Sequence, residues 1–143
     1  MCLKNLHCCK TLFAFLAVCF LFSCSSKKDD TLFHLLKPAT TGVDVINTIE
    51  TTRALNVFKY RNFYNGGGVS IGDINNDGLE DVYLTINRGA NKLYLNKGNF
   101  QFEDITEKAG VAGTKPWSTG VVMVDINADG WLDIYVCNAG IKS

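Results

Sequence analysis

Two nine-residue stretches concentrate the oxygen chemistry of this chain: Asp73, Asn75, Asp77, Gly78 and Asp81, and then, at a constant offset of 52, Asp125, Asn127, Asp129, Gly130 and Asp133. Each reads D-x-N-x-D-G-x-x-D. Side-chain oxygens at positions 1, 3 and 5 can converge only if the backbone curls tightly, and a glycine at position 6 permits that turn. The main-chain carbonyl at position 7, Leu79 or Trp131, and the carboxylate at position 9 complete a set of five oxygen groups. One bidentate Asp or one or two waters would raise the set to the roughly six to eight oxygens that calcium takes. Neither loop contains His or Cys, which argues against zinc and the softer metals, and magnesium would demand stricter octahedral geometry. The expectation is two calcium ions, one per loop.

Two other readings of the loops are weaker. An EF-hand requires a bidentate Glu at position 12, where this chain has Leu84 and Val136 inside strand-like runs, DVYLTI and DIYVCN. A bare Asp-Gly hairpin turn explains Asp77-Gly78 and Asp129-Gly130 but leaves the acids at positions 1 and 9 unexplained in both copies. Drawn together without a counter-ion, those carboxylates would repel one another.

The elements that must hold the loops are short strands. Gly68–Gly72 precedes the first loop, Val82–Ile86 follows it, and Lys92–Asn96 and Phe100–Ile105 come next, with Lys97-Gly98-Asn99 as a turn and Thr106–Ala109 as a helical turn. Gly120 opens the second copy. Upstream, VDVINTI (Val43–Ile49) alternates like a half-buried strand, and Asn56–Tyr64 does so less regularly. A period near fifty with four short strands per unit is the pattern of a β-propeller blade. The fold class expected is therefore all-β, with about two four-stranded blades of an incomplete propeller.

The N-terminus belongs to another class of sequence. Lys4 and Lys10 precede an apolar run of 12 residues, Thr11–Phe22. That run is too short to cross a bilayer, which needs about 20 residues, and fits a signal-peptide helix over residues 1–23. The run ends in LFSC, which resembles the lipobox of bacterial lipoproteins. That resemblance implies acylation of Cys24 and a membrane anchor at the outer membrane or cell surface. The following SSKKDD resembles the export tether of Bacteroidota-type surface lipoproteins, so residues 24–42 are read as a tether and 43–143 as the repeat region.

The remaining composition excludes more than it assigns. Net charge is +0, and Lys and Arg are scattered, so no nucleic-acid partner is expected. Five of the six cysteines lie in or at the end of the signal, leaving Cys137, expected to be a small buried hydrophobe. His34 is alone in the mature chain, and no nucleophile–base motif or phosphate loop is present. Tyr83, Tyr94, Phe100, Phe102 and Tyr135 are read as packing residues, and Trp117 and Trp131 as weak candidates for a binding surface.

Taken together, YNGGGVSIGDINNDGLEDVYLT, NKLYLNKGNFQFEDITEKAGVAG and WSTGVVMVDINADGWLDIYVCNAG resemble the FG-GAP/VCBS repeats, whose relatives include the calcium loops of integrin α subunits. The resemblance spans about Tyr64 to Gly140. It implies calcium held by Asp73, Asn75, Asp77, Leu79 and Asp81, and by Asp125, Asn127, Asp129, Trp131 and Asp133. Integrin loops more often carry Asp at position 3, so Asn removes one negative charge per site. The resemblance also implies a larger propeller, of which this chain would be a fragment. The function expected is a non-catalytic, exported binding or scaffold module with a glycan or protein ligand. The alternatives are the N-terminal part of a calcium-dependent carbohydrate-active enzyme of the propeller lyase type, and a cell-surface adhesion protein.

Overall fold

The computed structural model describes residues 31–139, so the signal segment and Cys24 lie outside the described residues. The chain divides into two units between Leu35 and Leu36. In the first, Thr31–Leu35 are exposed, with Thr31 Oγ1 and His34 Nδ1 3.4 Å apart. Among the described residues no helix is long and apolar enough to cross a membrane.

The second unit opens with α1 (Pro38–Thr41), a single turn with proline in its first positions and Gly42 closing it at φ 78°. Gly42 lies against the Phe102 carbonyl, where a Cβ would not fit. Six strands follow: β1 (Val69–Gly72), β2 (Asp81–Leu84), β3 (Lys92–Asn96), β4 (Phe102–Asp104), β5 (Ser118–Val124) and β6 (Asp133–Asn138). A second helical turn, α2 (Thr106–Ala109), separates β4 from β5. Strands β1 to β4 form one antiparallel meander in chain order, and β5 and β6 form a separate antiparallel pair. The protein is thus mostly sheet, built as one four-stranded blade and two strands of another, with no closed barrel among the described residues.

The core of the first blade forms where Tyr83 of β2 pairs with Leu93 of β3 and Val82 pairs with Tyr94. Leu93 and Tyr94 are consecutive yet both buried, so both faces of β3 are covered. On one face the Tyr83 hydroxyl donates to the Val111 carbonyl (2.6 Å), past α2; on the other the Tyr94 hydroxyl reaches Asp44 (3.4 Å) in the N-terminal segment. The β3–β4 edge carries an ion pair, Lys92 Nζ to Asp104 at 2.7 Å. Burial pushes the Asp104 carboxyl up, but hydrogen bonds from Lys92 and from the Thr106 hydroxyl and N–H outweigh it and hold the pKa at about 2. A carboxylate held this low contributes stability above its ordinary titration range, and that contribution is lost as the pH falls towards about 2.

The two sheets meet along β1 and β5. The Met123 N–H donates to Ser70 Oγ (2.8 Å), Gly68 lies against the backbone of Thr119–Val121, and the Thr85 hydroxyl donates to the Thr119 carbonyl. Gly72 faces Leu132 and Met123 at distances that leave no room for a Cβ, which is why the strand runs into its loop on a glycine.

Several sequence expectations are corrected. Val43–Ile49 keeps its alternating burial but pairs with no strand; it is tied down instead by the Asn47 amide, which donates to Asn87 (2.8 Å). Asn56–Tyr64 is a series of turns rather than a strand, because Asn56 Oδ1 accepts from the N–H groups of Phe58 and Lys59 and bends the chain. Cys137 is exposed, since β6 has no strand on its outer side among the described residues. Trp117 is buried, packed against Tyr60 and Phe63 with ring centroids 5.2 and 5.5 Å away, and so is not a surface candidate. Of the two tryptophans only Trp131 is exposed.

Candidate functional site

Both acidic loops connect the first strand of a sheet to the second, β1 to β2 and β5 to β6, so the side-by-side packing of β1 and β5 puts them at one rim. They touch there: the Asn76 amide donates to the Gly130 carbonyl at 3.2 Å.

Within each loop the fold is the same. Asp73 Oδ1 and Oδ2 accept from the N–H groups of Asp77 (3.0 Å) and Gly78 (2.7 Å); Asp125 does the same for Asp129 (3.1 Å) and Gly130 (2.9 Å). Asn75 Oδ1 also receives the Asp77 N–H, and Asp77 Oδ1 the Leu79 N–H (2.8 Å); Asn127, Asp129 and Trp131 repeat both contacts. The Asn75 amide donates to Asp77 Oδ2 at 2.9 Å, as Asn127 does to Asp129. At position 9, Asp81 Oδ2 accepts from Ile74 (3.0 Å) and Asp133 Oδ2 from Ile126 (3.1 Å). The first Asp thus nucleates the curl and the ninth closes it, which is how these residue types specify the loop.

The structure brings Asp73, Asn75 and Asp77 together at one turn of each loop, and their counterparts Asp125, Asn127 and Asp129 likewise. As the side chains stand, among the described residues no three His, Cys, Asp or Glu groups converge closely enough to hold a metal ion. Their carboxylates are aimed at the loop's own N–H groups, and the position 3 amide caps position 5.

The donor chemistry nevertheless fits a hard cation. All of it is oxygen, each carboxylate oxygen used in one hydrogen bond keeps a second lone pair, and the Asn carbonyl is within the same turn. Asp81 adds an independent observation. It is fully buried, at 0% exposure, and makes no ion pair among the described residues, although both its oxygens are occupied by main-chain donors: Ile74 N–H and, at 2.7 Å, Asn96 N–H. A desolvated carboxylate without a counter-charge is costly, and a bound cation at the adjacent loop would offset that cost.

Sequence reasoning missed two contributors. Asn96, at the end of β3, holds Asp81 through its N–H and the Glu80 carbonyl through its amide (2.9 Å); it reads as an ordinary strand-to-turn residue. Asn76, which links the loops, stands at a variable position of the motif. Its left-handed backbone (φ 58°) suits Asn, whereas Ala128 occupies the same conformation (φ 59°) in the second loop, where an alanine costs about 1–2 kcal/mol. Ala128→Asn is therefore expected to raise stability by about 0.5–1 kcal/mol, read as a higher urea midpoint with unchanged m-value.

A rim of twin Asp-rich loops on antiparallel blade strands defines a β-repeat protein, and an FG-GAP-like repeat is found at residues 73–136, from the first ligand position of loop one to β6. Among individual proteins, the chain is 32% identical over 111 residues to cartilage acidic protein 1 of Xenopus tropicalis, covering 77% of this chain and 16% of that protein. Cartilage acidic protein 1 of Mus musculus is 37% identical over 73 residues, covering 51% and 11%, and that of Homo sapiens is 37% identical over 76 residues, covering 52% and 12%. The chain therefore spans about a sixth or less of the length of these relatives. No solved structure matches it significantly.

Proposed function

We propose that this chain is an exported, lipid-anchored β-repeat module that binds two calcium ions and has a non-catalytic binding or scaffold role at the cell surface. The observation that carries the calcium reading is the repetition of one oxygen-only cage, bond for bond, at neighbouring points of the same rim. Asp73, Asn75, Asp77 and Asp81 with the Leu79 carbonyl would hold one ion, and Asp125, Asn127, Asp129 and Asp133 with the Trp131 carbonyl the other. Each ion would neutralise three carboxylates and draw the Asn oxygen inward, coupling binding to the order of the loop. The anchor rests on the LFSC signal and Cys24. The scaffold role is supported by the FG-GAP-like repeat.

Isothermal titration of the metal-stripped chain with calcium tests the reading. Two ions per chain are expected, falling to one in Asp73→Ala and to one in Asp125→Ala, with a thermal midpoint several degrees higher in calcium than in chelator. No heat of binding together with an unchanged midpoint would remove the calcium assignment.

A further inference from the structure

The two copies of the repeat differ in one respect that the sequence conceals. In the first, β2 is covered on its outer side by β3: Tyr83 lies opposite Leu93 and is 1% exposed, and the Asn96 N–H reaches Asp81 Oδ1 at 2.7 Å. In the second, β6 carries the matching residues, Asp133, Ile134, Tyr135 and Val136, but pairs only with β5. Tyr135 is 57% exposed, and Asp133, fully equivalent in its bond to Ile126, receives no main-chain donor of the Asn96 kind among the described residues. The outer edge of β6 thus combines an unpaired strand, an exposed tyrosine and a carboxylate oxygen placed for an N–H donor.

We propose that this edge is a β-augmentation surface which takes an extended segment of a separate polypeptide with the Leu-Tyr-Leu-Asn pattern of β3, in antiparallel register. The pattern follows from the sibling edge: Leu lies against Tyr135 as Leu93 lies against Tyr83, and the Asn three residues later donates its N–H to Asp133 as Asn96 does to Asp81. Main-chain hydrogen bonds supply affinity in such a mode and the side-chain pattern supplies selectivity. A second copy of this chain does not provide the segment, because its own β3 is paired on both sides, with β2 and β4.

The test is fluorescence anisotropy of the chain with a labelled peptide of the β3 sequence, NKLYLNKGNF (Asn91–Phe100). Saturable binding at one peptide per chain is expected. It should weaken roughly tenfold when the backbone nitrogen of the Asn equivalent to Asn96 is methylated, since one charge-assisted hydrogen bond is lost. It should also be lost in Tyr135→Glu, an exposed position whose substitution leaves the circular dichroism unchanged. Equal binding by a scrambled peptide, indifference to the methylation, no binding at all, or a homodimer through β6 that the peptide fails to disrupt would each overturn the proposal.

Discussion

Asp81→Ala is expected to destabilise the protein by about 2–4 kcal/mol, lowering the thermal midpoint by roughly 10 °C or more. The carboxylate is the joint between three parts of the first blade: it sits at the start of β2, holds the loop through Ile74 and holds β3 through Asn96. Alanine leaves two main-chain donors without their acceptor, and neither can be replaced by water at a site with 0% exposure. Relief from deleting an uncompensated buried charge acts the other way, but a carboxylate with both oxygens accepting N–H groups has recovered much of its lost solvation, so the hydrogen bonds win. Asp133→Ala, half-buried and bonded only to Ile126, should cost about 1 kcal/mol or less. Calorimetric unfolding of both variants in chelator checks the contrast without any contribution from metal. Equal losses would mean that the Asn96 contact is not what anchors Asp81.

The second large effect is expected at Asn87, where alanine should cost about 2–4 kcal/mol. Its amide is buried and donates to the carbonyls of Gly66 (2.8 Å) and Ser118 (2.9 Å), while its oxygen accepts from Asn47. Three segments far apart in the chain therefore meet on one side chain: the N-terminal extended stretch, the glycine run before β1 and the start of β5. Its main-chain carbonyl also accepts the N–H of Trp117 (2.7 Å), a residue held at φ 63°, a conformation that a large side chain adopts only when its surroundings fix it. Asn87→Asp is nearly isosteric and separates chemistry from packing. At neutral pH a carboxylate facing two carbonyls should be at least as damaging as alanine, with part of the stability regained as the pH falls and the group takes up a proton able to donate. Urea titrations across pH give both quantities; a neutral-pH Asp variant as stable as the native chain would show that the amide donors contribute nothing.

Much of the first blade is legible in the residues alone. Lys92–Asn96 forms a strand with the bounds its pattern predicts, the loops fall where the spacing puts them, and Thr106–Ala109 forms its helical turn, because in each case local chemistry and the environment agree. The failures share one cause. Alternation at Val43–Ile49 records which side chains face inward, not whether a neighbour completes a ladder, and here side-chain amides do the tethering. Cys137 and Tyr135 sit in a run with the composition of a buried strand, yet burial depends on what lies alongside, and β6 has a partner on one side only among the described residues. The polar core of Thr85, Asn87, Asn91 and Thr106 leaves no periodic trace, because each residue is fixed by one specific partner rather than by a face.

The hydrogen bond from Asn76 to the Gly130 carbonyl gives the rim a polarity. Every loop of this form presents an acceptor at its sixth position, but only a loop with a donating side chain at its fourth can reach the next one. The first loop has that donor and the second, with Ala128, does not. Loop one is therefore a sender and loop two a terminus: displacement of Gly130 is felt at Asn76, whereas nothing at Ala128 can carry it onward. The row of loops behaves as a directed series with a built-in stop, and one methyl group in place of an amide is what writes the stop.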